Sequence, residues 1–206
     1  MTGPRVVVLE RGIAYDGYFK IIRYRLRHQL FAGATSRELA REVFERGHAV
    51  AVLPFDPERS QVVLIEQFRI GALGVIDEPW LLEPVAGIIE EGESAPEVAR
   101  REAVEEAGLE LLDLVPACTY FASPGGSTET CRVFIGRVDA GRAGGVFGRA
   151  EEGEDIKVHV LSLEAALEWL DDGRIHAVST VVALQWLALH RAEIEARWSA
   201  TGGATG

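Results

Sequence analysis

The sequence predicts an α+β chain: a layered α/β/α domain preceded by a small N-terminal antiparallel β arm. Three observations carry this. Residues 18–30, YFKIIRYRLRHQL, alternate with period two, placing Ile22, Tyr24 and Leu26 on one face and Arg23, Arg25 and Arg27 on the other. The strongly apolar runs HAVAVLPF and QVVLIEQF flank a turn-forming DPERS. A single short helical segment lies among the strands, and helical segments close the chain, an order compatible with layered α/β/α packing.

In chain order, Val6 to Leu9 reads as a first short strand, the alternating segment as a second, exposed on one side, and Glu38 to Phe44 as a third. Three short strands with so little apolar material hold no core of their own. Residues 1–46 therefore read as an arm that packs on the main domain or on a second subunit. Residues 47–198 form that main domain. Its strand pair around DPERS is followed by TYFASPG and ETCRVFIGRV, a further pair around a turn. Residues 141–155, GRAGGVFGRAEEGED, are a glycine-rich acidic loop without periodicity. KVHVLS returns to strand, LEAALEWLDDG is helical, and a last helix spans Ser179 to Trp198 with Val182, Leu184, Trp186, Leu187 and Leu189. Residues 199–206, SATGGATG, read as a disordered tail.

At 206 residues the chain buries a full core, and 48% hydrophobic with 26% charged residues is ordinary globular composition. The formal charge of −11 argues against a broad basic surface for nucleic acid and against docking on anionic membranes. Only Lys20 and Lys157 among the 21 basic residues are lysines, which an arginine-favouring genome accounts for. Cys118 and Cys131 lack metal or redox spacing and read as reduced core thiols. Without a signal peptide or a membrane-length apolar run, a cytoplasmic location is expected.

The segment from Gly87 to Leu109, GIIEEGESAPEVARREAVEEAGL, is the most informative. Ser94 and Glu97 form a capping box and Gly108 a C-terminal stop, bounding one helix. At about 100° per residue, Glu102, Glu105 and Glu106 share one side. Such a concentration of hard oxygen donors suits Mg²⁺, with Mn²⁺ able to substitute. The competing reading is a solvated helix face. Against it, the remaining face is a stripe of Ala95, Ala99, Ala103 and Ala107, suited to close approach rather than to ordinary amphipathic packing. In addition, Glu102 and Glu106 stand i,i+4, a like-charge spacing that costs helix stability.

The same string matches the signature of the Nudix hydrolases at every glycine and charged position: Gly87, Glu93, Arg101, Glu102, Glu105, Glu106 and Gly108, with Ala103 where a larger aliphatic is common. Outside it, YFKIIRYRLRHQLF, RGHAVAVLPFDP with VVLIEQFR, ASPGGSTE, and EEGEDIKVHVL followed by VSTVVALQWL resemble the bacterial ADP-ribose pyrophosphatases across nearly the whole chain. Pro116 fits the proline that follows the signature there only loosely. The resemblance implies a Nudix α/β/α sandwich with a mixed β-sheet, and hydrolysis of ADP-ribose to AMP and ribose 5-phosphate. It also implies a domain-swapped homodimer in which the arm helps build the partner's substrate site. Another ADP-sugar, NADH, GDP-mannose or a dinucleoside polyphosphate remains open as substrate. So does a non-catalytic ligand sensor, although such modules usually lack signature glutamates that are present here.

Glu102 and Glu106 are the first-choice metal ligands, and Glu105 ligates directly or through water. The resemblance adds the backbone carbonyl of Ala86, in the turn entering the signature. Glu93 and Arg101 are read as a charge-assisted pair that orients the ligands. By register with the resembling enzymes, Glu152 is the general base and Glu154 a further ligand, with Glu151 the alternative base. Gly153 departs from the family pattern and is expected to loosen that loop. Tyr18 and Phe19 match positions that stack on or line the adenine. Arg41, Glu42 and Arg46 are candidates for ribose and phosphate, and Arg69, ending a strong strand, is the better phosphate candidate. Ile88 lines the signature turn, Ser123, Pro124 and Gly125 offer a tight turn near substrate, and Glu129 contacts the terminal ribose. His159, on an alternating strand, is read as a satisfied edge or core residue.

Overall fold

A computed structural model of the chain describes residues 5–149, 151 and 153–202. It divides into two compact units: residues 1–48 with 121–130, and residues 49–120 with 131–206.

The first unit is a three-stranded antiparallel sheet in the order β1 (Val6–Asp16), β2 (Lys20–His28), β3 (Leu39–Glu45). The first strand runs on to Asp16, well past the Leu9 at which the sequence reading ended it. Its polar Glu10-Arg11-Gly12 centre and its register shifts at Val8/Glu10 and Ile13/Tyr15 obscure the alternation. On β2 the alternation is as predicted: Ile22 is buried, Tyr24 and Leu26 are partly covered, and Arg23, Arg25 and Arg27 are exposed. The arginines are laced to neighbouring carboxylates, Arg23 to Glu42 at 2.7 Å and Arg25 to Glu10 and Glu38 at 2.8 and 2.6 Å. By contrast Val6, Val7, Val8, Leu9, Ile13 and Tyr15 of β1 are all exposed.

The second unit is built on a mixed sheet ordered β10 (Gly145–Phe147), β11 (Ile156–Ser162), β5 (Gln61–Phe68), β4 (His48–Asp56), β9 (Thr130–Arg137), β8 (Asp113–Phe121). Two further strands join it, β6 (Trp80–Glu83) on β5 and β7 (Val85–Ile89) on β4. Strands β4 and β9 run parallel, whereas β11, β5 and β6 pair antiparallel in turn. The DPERS turn is held by buried Asp56, whose carboxylate accepts from the backbone N–H groups of Glu58, Arg59 and Ala140 and from the Arg59 side chain.

Period-two alternation divides the strand side chains between two cores. Val50, Val52, Val63, Ile65, Ile156 and Val158 pack with Ala95, Val98, Ala99, Ala103 and Ala107 of helix α1 (Ala95–Ala107). Ala51, Leu53, Phe55, Val62, Leu64, Val133 and Ile135 pack with α2 (Leu163–Asp171) and α3 (Val178–Gly202) through Leu163, Ala183, Leu184, Leu187 and Trp198. This is the α/β/α sandwich with a mixed sheet that the sequence predicts. The alanine stripe of α1 is fully buried and lets the helix lie close on the sheet.

Several expectations are corrected. Ala86 and Ile88 lie in strand β7, not in a turn. Pro84 splits WLLEPVAGII into two strands too short to show a period. The loop of residues 141–155 contains a 3-10 turn and strand β10, paired antiparallel to β11, in which three residues among glycines carry no readable alternation. Helix α3 continues past Trp198 to Gly202, with the Ser199 hydroxyl donating to the Glu195 carbonyl at 2.8 Å, so the first part of the expected tail is helical. Residues 203–206 lie outside the described residues. Cys131 is buried and Cys118 partly so.

Candidate active site

Helix α1 is fixed at both ends by the chemistry read from its sequence. The Glu97 carboxylate accepts from the Ser94 backbone N–H at 3.1 Å and from the Ser94 hydroxyl. Gly108 terminates the helix at φ 62°, in the left-handed region, where a Cβ would also collide with the Phe147 ring at 2.6 Å. Between these ends, Glu102 and Glu106 are presented to strand β7.

Glu106 is only 4% exposed, and its Oε2 accepts the Ala86 backbone N–H at 2.9 Å. Beside it, a Cβ built on Gly87 would fall 2.3 Å from Glu102 Oε1 and 2.6 Å from its Cγ. Glycine at the head of the signature is therefore a steric requirement: any larger residue would displace the Glu102 carboxylate. Arg101 holds that carboxylate from outside, Nη1 to Oε1 at 2.8 Å, and lies 3.5 Å from Glu93 and 3.6 Å from Glu105. Glu93 in turn accepts from the Glu90 backbone N–H at 3.0 Å, which braces the turn into the helix.

The electrostatics are those of a site short of positive charge. Burial pushes the Glu106 carboxyl up to about 8, and Glu102 and Glu154 add repulsion that the Ala86 N–H and Arg69 only partly offset. Glu102 is also raised, by burial first, with Glu105 and Glu154 opposing its ionisation and Arg101 favouring it. Two carboxylates withdrawn from water against their charge form a donor set that fits a hard divalent cation.

Among the described residues no three His, Cys, Asp or Glu side chains are gathered for a metal. Glu105 is turned to Arg101, and Glu154 accepts the Arg149 backbone N–H at 3.0 Å. Gly153 takes φ 73°, a conformation that favours glycine. Glu152 lies outside the described residues. Its alternative, Glu151, is exposed and 3.3 Å from Arg149 Nη2; its own backbone N–H and then Arg149 lower its pKa, which weakens it as a base.

Arg69 follows β5 directly, and its Nε donates to Glu83 Oε2 at 2.7 Å. Glu83, the partner of this candidate phosphate ligand, is not singled out by the sequence. Its pairing joins two strands through tertiary contact and leaves no local signal. Ile88 is exposed on β7. His159 is satisfied by Glu66 at 2.8 Å, as expected.

Within the first unit, Tyr18 and Phe19 stand in the bend between β1 and β2, with ring centroids 4.7 Å apart in an edge-on arrangement. Phe19 also meets Phe44 edge-on at 5.0 Å, and the Arg46 guanidinium lies 5.7 Å from the Phe19 centroid. Arg46 pairs with Glu129 at 3.4 Å. The Ser123 carbonyl accepts from Gly126 and Ser127, closing the expected tight turn over Pro124 and Gly125. Arg41 and Glu42 do not join this group: Arg41 donates to the Ala40 carbonyl and Glu42 is held by Arg23. Phe44 was not anticipated, since an aromatic in an arm strand reads as packing.

Comparison with known proteins gives the family and the fold. A model of the NUDIX domain matches residues 45–200, and the chain belongs to that family. An ADP-ribose pyrophosphatase of Escherichia coli (strain K12) is 51% identical over 94% of this chain and 93% of its own. One from Haemophilus influenzae is 41% identical over 94% and 90%, and a GDP-mannose pyrophosphatase of an Enterobacter species 36% identical over 82% and 87%. The crystal structure of an ADP compounds hydrolase shares the fold, with a TM-score of 0.71 at 20% identity over 94% of this chain and 98% of its own.

Proposed function

We propose that the protein hydrolyses the diphosphate bond of ADP-ribose, giving AMP and ribose 5-phosphate, with Mg²⁺ as cofactor and Mn²⁺ as substitute. The observation that carries the chemistry is the buried Glu106 beside Glu102, a donor pair whose charges call for a cation. The substrate rests on the 51% identity, over nearly the full length of both chains, to a protein named ADP-ribose pyrophosphatase.

A bound divalent metal would supply neutralisation of the diphosphate charge and a lowered pKa for an attacking water. Glu102 and Glu106 would hold the ion, joined by the Ala86 carbonyl, by Glu154 and, directly or through water, by Glu105. Arg101 keeps Glu102 oriented while Glu93 steadies Arg101. Arg69 takes phosphate oxygens. Glu152 removes the proton from the attacking water. Tyr18 and Phe19 take the adenine, Arg41, Glu42 and Arg46 the ribose and phosphate, and Glu129 the terminal ribose, with Ile88 and the turn at Ser123, Pro124 and Gly125 shaping the surroundings.

We further propose a homodimer, in which a second copy covers the exposed apolar strand β1. We place the chain in the reducing cytoplasm, where two cysteines without metal or redox spacing stay as thiols. Among the described residues, no helix is long and apolar enough to cross a membrane.

A second substrate reading, GDP-mannose, is favoured by the 36% identical relative. The experiment is a product assay offering both compounds with Mg²⁺. AMP and ribose 5-phosphate from ADP-ribose, lost in Glu152→Gln, is the expected result. Turnover of GDP-mannose alone would replace the substrate, and activity surviving in Glu152→Gln would move the base elsewhere.

A further inference from the structure

The Arg69–Glu83 pair has a geometry that a surface ion pair does not require. Glu83 ends strand β6, and the following Pro84 restricts it to extended backbone, so its Cα has little freedom. The β5–β6 register pairs Ile65 with Glu83, which sets the carboxylate on the face of the sheet that carries Val63, Ile65 and helix α1. Arg69 follows Ile65 and Gln67 along the same parity and lies close enough to Glu106 to act on its charge. The Glu83 side chain is 14% exposed, while that of Arg69 is 42% exposed.

The contact between them uses only one edge of the guanidinium. Glu83 Oε2 accepts from Nε at 2.7 Å, and among the described residues no hydrogen bond engages Nη1 or Nη2. A guanidinium held at Nε presents its two terminal nitrogens as a planar fork, the arrangement that matches paired phosphate oxygens. An arginine without that anchor spreads over several rotamers, which must be given up again on binding.

We propose that Glu83 is a positioning residue for diphosphate recognition: its carboxylate pins the Nε–H of Arg69 and so keeps the Nη1–Nη2 edge turned outward for substrate. This rests on the reading of Arg69 as a diphosphate ligand. Glu83 touches no reacting atom, and its effect falls on substrate affinity.

The test is steady-state kinetics with ADP-ribose and Mg²⁺ on wild type, Glu83→Met, Arg69→Ala and the double variant, with thermal melting of each. Arg69→Ala is expected to raise KM about 30-fold or more, and Glu83→Met, which has the length of Glu without an oxygen to accept the Nε–H, about 5–20-fold with kcat within about threefold of wild type. The double variant is expected to match Arg69→Ala, because Glu83 has nothing to hold once Arg69 is gone. A folded Glu83→Met protein with unchanged KM overturns the proposal, as does a double variant whose effect is the product of the singles. Should Glu83→Met fail to fold, Glu83→Asp, which withdraws the carboxylate by one methylene, is measured against the same expectations. An unchanged KM in Arg69→Ala removes the diphosphate role of Arg69 and this inference with it. A raised KM in Arg69→Ala alone removes only the role of Glu83.

Discussion

The arm and the main unit both concentrate arginine and glutamate, yet the two populations differ in kind. On the arm, Arg23, Arg25 and their partners Glu42, Glu10 and Glu38 sit on an exposed strand face, each carboxylate matched to a guanidinium. Water screens such pairs, and each contributes little to stability. On α1, Glu106 is buried against the Ala86 N–H, and Glu102 lies against Gly87 with Arg101 at its outer edge. Charge count therefore does not identify the site. What identifies it is carboxylate withdrawn from water without enough positive charge to match, a cost that a cation removes.

That contrast is sharpest at Glu106. Glu106→Gln keeps an acceptor for Ala86 but removes the charge proposed to hold the metal, and activity is expected to fall by about a thousandfold or more, read as kcat/KM. Metal-free stability is expected to move the other way. The folded pKa of Glu106, about 8, lies above its ordinary value of 4.5, so the folded chain binds more protons between those limits. The stability from Glu106 is full below about pH 4.5 and is lost as pH rises through about 8. Denaturant melts across that window should show a decline in wild type that is weaker in Glu106→Gln. At pH 8 and above the variant should be more stable by an amount on the order of a few kcal/mol.

Next in size is Gly87→Ala. The new methyl would overlap the Glu102 carboxylate, so activity is expected to drop about 10- to 100-fold while the fold loses about 1–3 kcal/mol. Wild-type activity in this variant would show that the close approach of β7 to Glu102 has no functional weight.

A smaller effect of opposite sign is expected at Gln67. It is 6% exposed, and its buried Nε2 has no hydrogen-bond partner among the described residues. Replacing it with Leu removes an unsatisfied donor and should stabilise the protein by about 1 kcal/mol in a denaturant titration. Smallest of all, Arg23→Ala on the arm should shift stability by about 0.5 kcal/mol or less, an effect that added salt diminishes.

The sequence made legible what local chemistry determines. The caps of α1, its alanine stripe and its clustered glutamates could be read directly, because each depends on residues within a few positions of one another. The β2 alternation was legible for the same reason. Strands β6 and β7 were not, since Pro84 leaves segments too short to show a period, and β10 was hidden among glycines. Nothing local pairs Arg69 with Glu83, or sets Glu102 against Gly87. The first contact exists only once β6 pairs with β5, and the second only once β7 lies under α1. The assignment of Gly87 as a required position came from the signature, and its physical cause came from the packing.

The central claim is that burial of Glu106 beside Glu102 prepares a cation site. Calorimetric titration of the metal-free protein with Mn²⁺ at pH 7, in two buffers of different ionisation enthalpy, tests it most directly. With Glu106 largely protonated at that pH, about one proton should be released per ion bound, and Glu106→Gln should bind far more weakly and release none. Equal affinity in wild type and Glu106→Gln, or binding without proton release, would contradict it.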